Sequence, residues 1–277
     1  MKDGTKHASA HDDLADFDPL SLTFEGNLKR VWRSGAGPGV IVMHEMPGIT
    51  PQVAQFARVV RDAGFTVWMP SLFGHDGRTG TADEGASVFR RTCMSSEFRA
   101  FGGGISSPVS VWLMALARYV HRACGGHGVG AIGMCFTGNF ALTMMLEPSV
   151  LAPVLCQPSL PLDEPAGLEI SAQELETIRQ RLEHEGRQVL AYRFAGDAFC
   201  RAERFAAYRE ALGGQFQGKV LPDEAANREV TPFFQEHVNT PHSVVTVHLI
   251  DQEGEPTRKA RDDIIAFLVD GLRERQT

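Results

Sequence analysis

A cysteine lies at the centre of a segment, Gly133 to Gly138 (GMCFTG), that joins two different sequence patterns. The apolar residues 129–132 before it predict a buried strand, and the residues after it predict a helix, so that Cys135 falls on a sharp turn between them. A side chain on such a turn lies beside the free N–H groups of a helix N-terminus, which favour negative charge. A thiol there ionises more readily, and the thiolate is the nucleophilic form. The sequence therefore predicts a cysteine nucleophile; the alternative is a structural cysteine at a tight turn.

Two further residues follow predicted strands or loops in the order that a hydrolase needs. Asp197 comes directly after the strand pattern 189–194 and Gly196, and His242 lies in a loop signal between Pro241 and Ser243. The order Cys, Asp, His is the one found in α/β-hydrolase folds. The simpler interpretations are an aspartate that caps a helix and an exposed loop histidine, since the chain has 10 histidines.

A carboxylate also follows the first apolar strand pattern. Glu45 comes two residues after the run 40–43. Burial of a carboxylate at the edge of a sheet is costly without partners, so its position indicates a functional group. The alternative is a partly solvated loop glutamate.

Composition limits the class of protein. The chain has 277 residues, 43% apolar and 22% charged, which is typical of a globular protein. Its net charge of −7 argues against a nucleic-acid surface. No apolar run is long enough to span a membrane, and residues 1–18 lack the apolar centre of a secretory signal, so we expect a cytoplasmic protein without a membrane partner. Five scattered cysteines without C-x-x-C spacing favour reduced thiols over a disulfide framework.

Strand and helix patterns alternate along most of the chain. They predict a polar, flexible leader over residues 1–18 and a single domain over 19–277, with a glycine-rich irregular excursion at about 72–107. This alternation predicts a three-layer α/β fold with a mostly parallel central sheet flanked by helices. The active site of such a sheet lies at the carboxyl ends of its strands. The predicted strands are an edge hairpin over 20–32 and the segments 40–43, 65–69, 129–132, 150–155, 189–194, 216–221 and 244–250. The predicted helices begin near 50, 107, 136, 171, 201 and 257.

Several of these segments together resemble the dienelactone hydrolase family, a branch of the α/β-hydrolases. The resemblance covers about residues 20–272 and is carried by short motifs at strand ends: His44 to Gly48, Met69 to Gly74, Gly133 to Gly138, Gly196-Asp197 and Pro241 to Ser243. A glutamate after this strand combined with a cysteine at the turn is fairly specific, because most α/β-hydrolases have serine at the turn and no such glutamate.

The resemblance implies a role for each residue. Cys135 would attack a lactone or ester carbonyl, His242 would act as base, and Asp197 would fix the histidine tautomer. Glu45 would contact the resting thiol and help to deprotonate it when an anionic substrate binds, and the backbone N–H groups of Met46 and Phe136 would form the oxyanion hole. The reaction would need no metal or organic cofactor, and the substrate would be a small molecule, expected to be anionic.

The chain departs from the family pattern at three points. Thr137 stands where the family favours glycine, and a β-branched residue there is expected to crowd the turn. His242 precedes the predicted strand 244–250 instead of following the last strand. Either 216–221 is the true penultimate element and the histidine loop is long, with an insertion near 222–239, or the base is His237 or His248. The third point concerns the arginines with which family members bind a substrate carboxylate. In this chain Arg90, Arg91 and Arg99 of the excursion are candidates, and no spacing selects one of them.

The departures keep two other functions open. A flavodoxin-like glutaminase or thiol-chaperone-type domain also uses a cysteine at a turn and a glutamate near the first strand, but needs no late Asp–His pair. A hydrolase-like binding or regulatory protein with a degenerate site would explain Thr137 and the position of His242. The sequence specifies neither the natural substrate nor the oligomeric state.

Overall fold

One eight-stranded sheet organises the computed structural model of the protein, which describes residues 10–98 and 106–272. Its strand order is β1-β2-β4-β3-β5-β6-β7-β8. From β4 to β8 all neighbours are parallel, whereas β1 and β2 form an antiparallel hairpin that pairs with β4 at the edge. The strands are β1 (Asp18–Phe24), β2 (Asn27–Gly35), β3 (Gly39–Met43), β4 (Thr66–Pro70), β5 (Val129–Met134), β6 (Val150–Cys156), β7 (Val189–Phe194) and β8 (Phe216–Leu221).

Helices cover both faces of the sheet. They are α1 (Pro51–Asp62), α2 (Ala82–Met94), α3 (Pro108–Cys124), α4 (Phe140–Thr143), α5 (Ala172–Glu185), α6 (Ala202–Leu212), α7 (Pro232–His237) and α8 (Pro256–Leu272). Alternate residues of β3 supply the two cores: Val40 and Val42 pack with α1 and α8, whereas Ile41 and Met43 pack with α3 and α6. The predicted three-layer α/β fold is therefore confirmed.

None of the helices within the described ranges combines the length and the apolar character that a bilayer crossing requires.

Two predicted elements are wrong. The helix expected to begin near 136 is broken, because one turn of 3₁₀ helix over Cys135–Thr137 precedes the short α4. The segment 244–250 is not a strand: it forms turns, and the His248 N–H donates to the Ser243 carbonyl at 3.0 Å. Its valines are buried because this loop packs onto the end of the sheet, so an apolar pattern is present without strand pairing. The stretch 222–239 contains α7, which the sequence analysis did not predict.

Part of the predicted flexible leader is packed against the domain. Leu14 and Phe17 are buried, and the Arg58 guanidinium of α1 forms ion pairs with Asp12 and Asp16. Residues 10–17 therefore form an anchored segment in this structure, and residues 1–9 lie outside the described range.

Candidate active site

Cys135 occupies a strained turn at the carboxyl end of β5. Its φ of +52° lies in the left-handed region, which few residues other than glycine adopt without cost. The flanking glycines allow this turn: a Cβ on Gly133 would lie 2.3 Å from the Thr137 carbonyl oxygen, and a Cβ on Gly138 would lie 2.6 Å from Pro158 Cα. The close packing of the turn therefore requires glycine at both positions and presents the sulfur at the edge of the sheet.

Thr137 does not crowd this turn. Its buried hydroxyl accepts from the Met134 N–H at 3.0 Å and lies 3.0–3.2 Å from the carbonyl oxygens of Met134, Met43 and His44. The hydroxyl therefore links the turn that carries Cys135 to the end of β3, which leads to Glu45 and Met46. The local sequence around Thr137 predicts only crowding, because the hydrogen-bonding role of a hydroxyl at this position depends on the neighbouring strand.

Asp197 and His242 form a buried pair. Residue Asp197 is 3% exposed and residue His242 1%, and His242 Nδ1 lies 2.8 Å from Asp197 Oδ2. The other carboxylate oxygen accepts from the backbone N–H groups of Phe199 and Cys200 at 2.9 and 3.0 Å. The carboxylate is thus held by the turn after β7, and it fixes the tautomer of His242 with the proton on Nδ1.

The second ring nitrogen of His242 is the open one. Nε2 is buried and makes no hydrogen bond of good geometry among the described residues, and the ring interacts electrostatically with the Cys135 side chain. Burial lowers the pKa of His242. The charges of Asp197 and Cys135 raise it by more than burial lowers it, so the pKa lies well above its ordinary value. The pair is therefore suited to hold a proton on the nitrogen that faces the sulfur.

The structure places His242 after the last strand, β8, in the loop that joins α7 to the last helix, α8. Of the two other histidines considered from sequence, His237 ends α7 and is exposed. His248 Nδ1 accepts from the backbone N–H groups of His242 and Ser243 at 3.3 and 3.1 Å, and burial lowers its pKa to about 4. His248 is thus neutral and holds the backbone of the His242 loop, which we define as residues 240–250.

Glu45 is fully buried and bonds to that same loop. Its carboxylate accepts from the Ser243 hydroxyl at 2.5 Å, from the Thr246 hydroxyl, and from the Gln157 amide at 3.2 Å. Burial raises the pKa of Glu45, and the hydroxyl donors partly oppose this effect. None of the hydrogen bonds of Glu45 in the described residues reaches Cys135, and the contact with the resting thiol that the family resemblance implies stays a prediction. Three donors already satisfy the carboxylate.

The loop after β3 also positions Met46. The Leu72 N–H donates to His44 Nε2 at 3.0 Å, so the ring proton is on Nδ1. Nδ1 donates this proton to the Glu45 carbonyl oxygen at 3.1 Å. Burial lowers the pKa of His44 to about 4, which keeps this ring neutral. The Gly48 N–H donates to the same carbonyl at 2.9 Å. Within the described residues, no loop or side-chain hydrogen bond uses the N–H of Met46 or Phe136, the two groups expected to form the oxyanion hole.

Ser159 is a neighbour of the sulfur that the sequence analysis missed. Its hydroxyl lies 3.5 Å from Cys135 Sγ, and its N–H donates to the Cys135 carbonyl at 3.0 Å. The available signal was its position: Ser159 follows the apolar strand β6, whose carboxyl end lies at the same edge of the sheet as that of β5.

The three arginine candidates for a substrate carboxylate are not brought into a site by the described residues. Arg90 and Arg91 are exposed on α2, and Arg99 lies outside the described residues. The buried guanidinium of Arg204 donates to backbone carbonyls, including those of Pro158 and Pro161. No group of three or more His, Cys, Asp or Glu side chains suited to a metal ion occurs in residues 10–98 and 106–272.

The order of strands, the turn at the end of β5 and the Asp–His pair at the following strand ends define an α/β-hydrolase. The sequence pattern of the dienelactone hydrolase family matches residues 29–166, and the same fold extends over nearly the whole chain in solved structures of that type. The protein therefore belongs to the dienelactone hydrolase family. No curated protein matches the sequence significantly.

Three solved structures illustrate the likeness. A Klebsiella pneumoniae subsp. pneumoniae MGH 78578 protein assigned as a dienelactone hydrolase is 16% identical, with a TM-score of 0.60 over 94% of this chain and 98% of its own. A dienelactone hydrolase-like promiscuous phosphotriesterase from metagenomic libraries is 19% identical, with a TM-score of 0.60 over 91% and 98%. Dienelactone hydrolase from Anabaena variabilis ATCC 29413 is 12% identical, with a TM-score of 0.56 over 93% and 98%. At these identities the likeness shows the fold.

Proposed function

We propose that the protein is a cysteine hydrolase of small lactones or esters that acts through a thioester acyl-enzyme. The observation that carries this proposal is the buried His242–Asp197 pair, whose unpartnered Nε2 belongs to a ring that interacts with Cys135 at the strained turn. A nucleophile, a base and a group that orients the base are the parts that acyl transfer requires.

Acylation follows from this arrangement. The thiol proton passes to His242 Nε2, and the thiolate attacks the carbonyl carbon of the substrate. The carbonyl electron pair moves to the oxygen, where the N–H groups of Met46 and Phe136 stabilise the negative charge. Collapse of this intermediate breaks the bond to the leaving oxygen, which takes the proton from His242. A thioester on Cys135 remains, and with a lactone the released hydroxyl stays attached to the acyl group.

Deacylation uses the same groups in reverse. His242 Nε2 accepts a proton from water as the water oxygen attacks the thioester carbon. Collapse of the second intermediate expels the Cys135 thiolate and leaves the imidazole protonated, so the carboxylic acid product departs from the ion pair. In this scheme Asp197 stabilises the imidazolium at both stages.

Glu45 enters the proposal through the His242 loop. Its carboxylate holds Ser243 and Thr246, which flank the proposed base on the same loop. A role in deprotonating the thiol would require Glu45 to leave these partners. An anionic substrate stays a prediction, with Arg90, Arg91 and Arg99 all still candidates to bind its carboxylate.

The alternatives considered from sequence have less support. A flavodoxin-like glutaminase or thiol-chaperone-type domain is not favoured by an α/β-hydrolase fold. A degenerate binding or regulatory site was suggested by Thr137 and by the position of His242. The Thr137 hydroxyl is accommodated by the Met134 N–H, from which it accepts, and by three carbonyl oxygens to which its proton can be donated; His242 follows the last strand.

The test of the proposal is replacement of the sulfur. Cys135→Ala is expected to reduce the turnover of a neutral aryl ester or a simple lactone by at least about 10³-fold, because the covalent route is lost. Cys135→Ser should also reduce it severely, because a serine hydroxyl ionises far less readily than a thiol at a turn built for sulfur. Cys124→Ser is the matched control, since Cys124 is also half-buried but lies at the end of α3. Mass spectrometry of the quenched wild-type reaction should show an acyl adduct on Cys135. Full activity of the Cys135→Ala variant would refute the proposal.

A further inference from the structure

The hydroxyl of Ser159 has one side-chain partner, the sulfur of Cys135. It lies 3.5 Å from Sγ, its side chain is 1% exposed, and no other hydrogen bond of this hydroxyl occurs among the described residues. A buried hydroxyl without a hydrogen-bond partner loses free energy, so this hydroxyl pairs with the sulfur, and either atom can donate while the sulfur is a thiol. A thiol that has given its proton to His242 can only accept, which fixes Ser159 as the donor.

The position of this hydroxyl is fixed from three sides. The Gln157 N–H donates to the Tyr192 carbonyl of β7 at 2.7 Å, and Arg204 of α6 donates to the Pro158 carbonyl at 3.1 Å and the Pro161 carbonyl at 2.6 Å. The Ser159 N–H donates to Cys135 itself at 3.0 Å. The segment 157–161 is thus bonded to β7, to α6 and to the turn at the end of β5, and its serine is oriented before any substrate binds.

We propose that Ser159 is a further catalytic residue, whose hydroxyl donates a hydrogen bond to the Cys135 sulfur and increases the fraction of thiolate in the resting enzyme. The inference rests on the proposed function, in which Cys135 is the nucleophile. Hydrogen bonds to a charged acceptor are stronger than those between neutral groups, so the hydroxyl favours the thiolate over the thiol.

This assistance has a chemical consequence in both half-reactions. A thiolate that accepts a hydrogen bond is more abundant near neutral pH but is a weaker nucleophile, because nucleophilicity falls with basicity. When the sulfur bonds to the acyl carbon, it becomes a poor acceptor and the hydrogen bond is lost. When the thioester breaks down, the sulfur leaves as thiolate, and the Ser159 hydroxyl stabilises it again. Ser159 is therefore expected to assist deacylation as well as the resting state.

The experiment measures the alkylation rate of Cys135 by iodoacetamide, a neutral probe, as a function of pH. In Ser159→Ala the midpoint of this profile is expected to rise by about one pH unit, which corresponds to the loss of one hydrogen bond to a charged group. The plateau rate at high pH should stay equal or increase, because each thiolate is then more nucleophilic. Acylation of Cys135 by an ester should slow about tenfold below the midpoint and recover above it.

Two variants serve as controls. Ser159→Thr keeps the hydroxyl and should restore the wild-type midpoint. Ser149→Ala removes another buried serine hydroxyl, which bonds to Glu147 before the amino end of β6, and should leave the profile unchanged. Ser159→Gly is a second hydroxyl-free variant in case Ser159→Ala does not fold, and thermal unfolding verifies the fold of each.

The outcomes separate this inference from the proposed function. An unchanged midpoint with a lower plateau would mean that Ser159 only supports the turn, and it would overturn the inference while Cys135→Ala still abolished turnover. A shifted midpoint in Ser159→Thr would overturn it as well. If Cys135→Ala keeps full turnover, the proposed function fails first and the Ser159 inference fails with it.

Discussion

At the scale of single residues, most polar atoms of Asp197 and His242 already have a hydrogen-bond partner. Both oxygens of Asp197 are occupied, one by backbone N–H groups and the other by His242 Nδ1. His242 Nε2 is the atom without a hydrogen-bond partner in the described site. Because the carboxylate oxygens and Nδ1 already have partners, we predict that Nε2 is the atom that takes the proton from the sulfur.

Asp197→Asn keeps the size of the side chain and removes its negative charge, so it tests whether the charge is required. Asp197→Asn is expected to reduce kcat by about 10²–10⁴-fold with KM little changed, since an amide that donates to Nδ1 leaves the wrong tautomer. It should also lower the pKa of His242, because the Asp197 charge is a main cause of the raised value. Steady-state kinetics and NMR titration of the labelled imidazole measure both effects.

The control for that variant is Asp163→Asn, in an exposed loop. It should change neither kcat nor the His242 titration. An Asp197→Asn enzyme with wild-type kcat would show that the pair supports the structure and not the reaction.

Between elements, the key connection joins the loop after β3 to the His242 loop. Glu45 of the first loop accepts from Ser243 and Thr246 of the second. Gln157, which follows β6, donates to Glu45 and accepts from the Val244 N–H at 3.3 Å. The ends of β3 and β6 are thus bonded to the loop that carries the proposed base, and we predict that Glu45 acts on the reaction by positioning His242.

A double-mutant cycle distinguishes this positioning role from direct activation of the thiol. Glu45→Gln and Thr246→Val should each lower kcat about tenfold with KM little changed, and the double variant should be no worse than the more damaging single change, because both break one network. Direct activation by Glu45 predicts instead that Thr246→Val, which releases the carboxylate, leaves kcat unchanged or raises it. Thr177→Val on the exposed face of α5 is the control.

The residues of the site that could be predicted from sequence are those that lie next to a recognisable local pattern. Glu45, Cys135 and Asp197 were found because each follows a short apolar run, and a strand buried on both faces has few other sequence explanations. The segment 244–250 was misassigned because loop valines that pack onto a sheet give the same pattern as strand valines. Ser159 and the partners of Glu45 depend on contacts between distant segments, which no local pattern records.

Across the whole molecule, the three-layer fold was predictable because strands and helices alternate along the chain. The anchored segment 10–17 was not, because aspartates that pair with an arginine and aspartates that face water give the same sequence. Only the folded structure brings Arg58 of α1 next to Asp12 and Asp16, with its guanidinium 5.4 Å from the Phe17 ring. Residues 10–17 are thereby attached to the domain by both charge and apolar contact.

The attachment should depend on pH in a definite direction. Hydrogen bonds from Arg58 lower the pKa of both Asp12 and Asp16. A carboxyl whose folded-state pKa is depressed stabilises the fold above its unfolded pKa of about 3.9, and this stabilisation is lost as the pH falls through the folded value.

Arg58→Met keeps the apolar stem and removes the charge. We expect it to cost about 1 kcal/mol at pH 7, since the ion pairs are partly exposed, and to lower Tm by about 2–4 °C. The difference from wild type should shrink below about pH 4 and in high salt, because protonation and screening remove the same attraction. Calorimetry across pH 3–7 measures it, with Arg122→Met, an exposed arginine of α3, as control. A difference in Tm that is equal at pH 3 and pH 7 would show that Arg58 acts through packing on Phe17 and not through its charge.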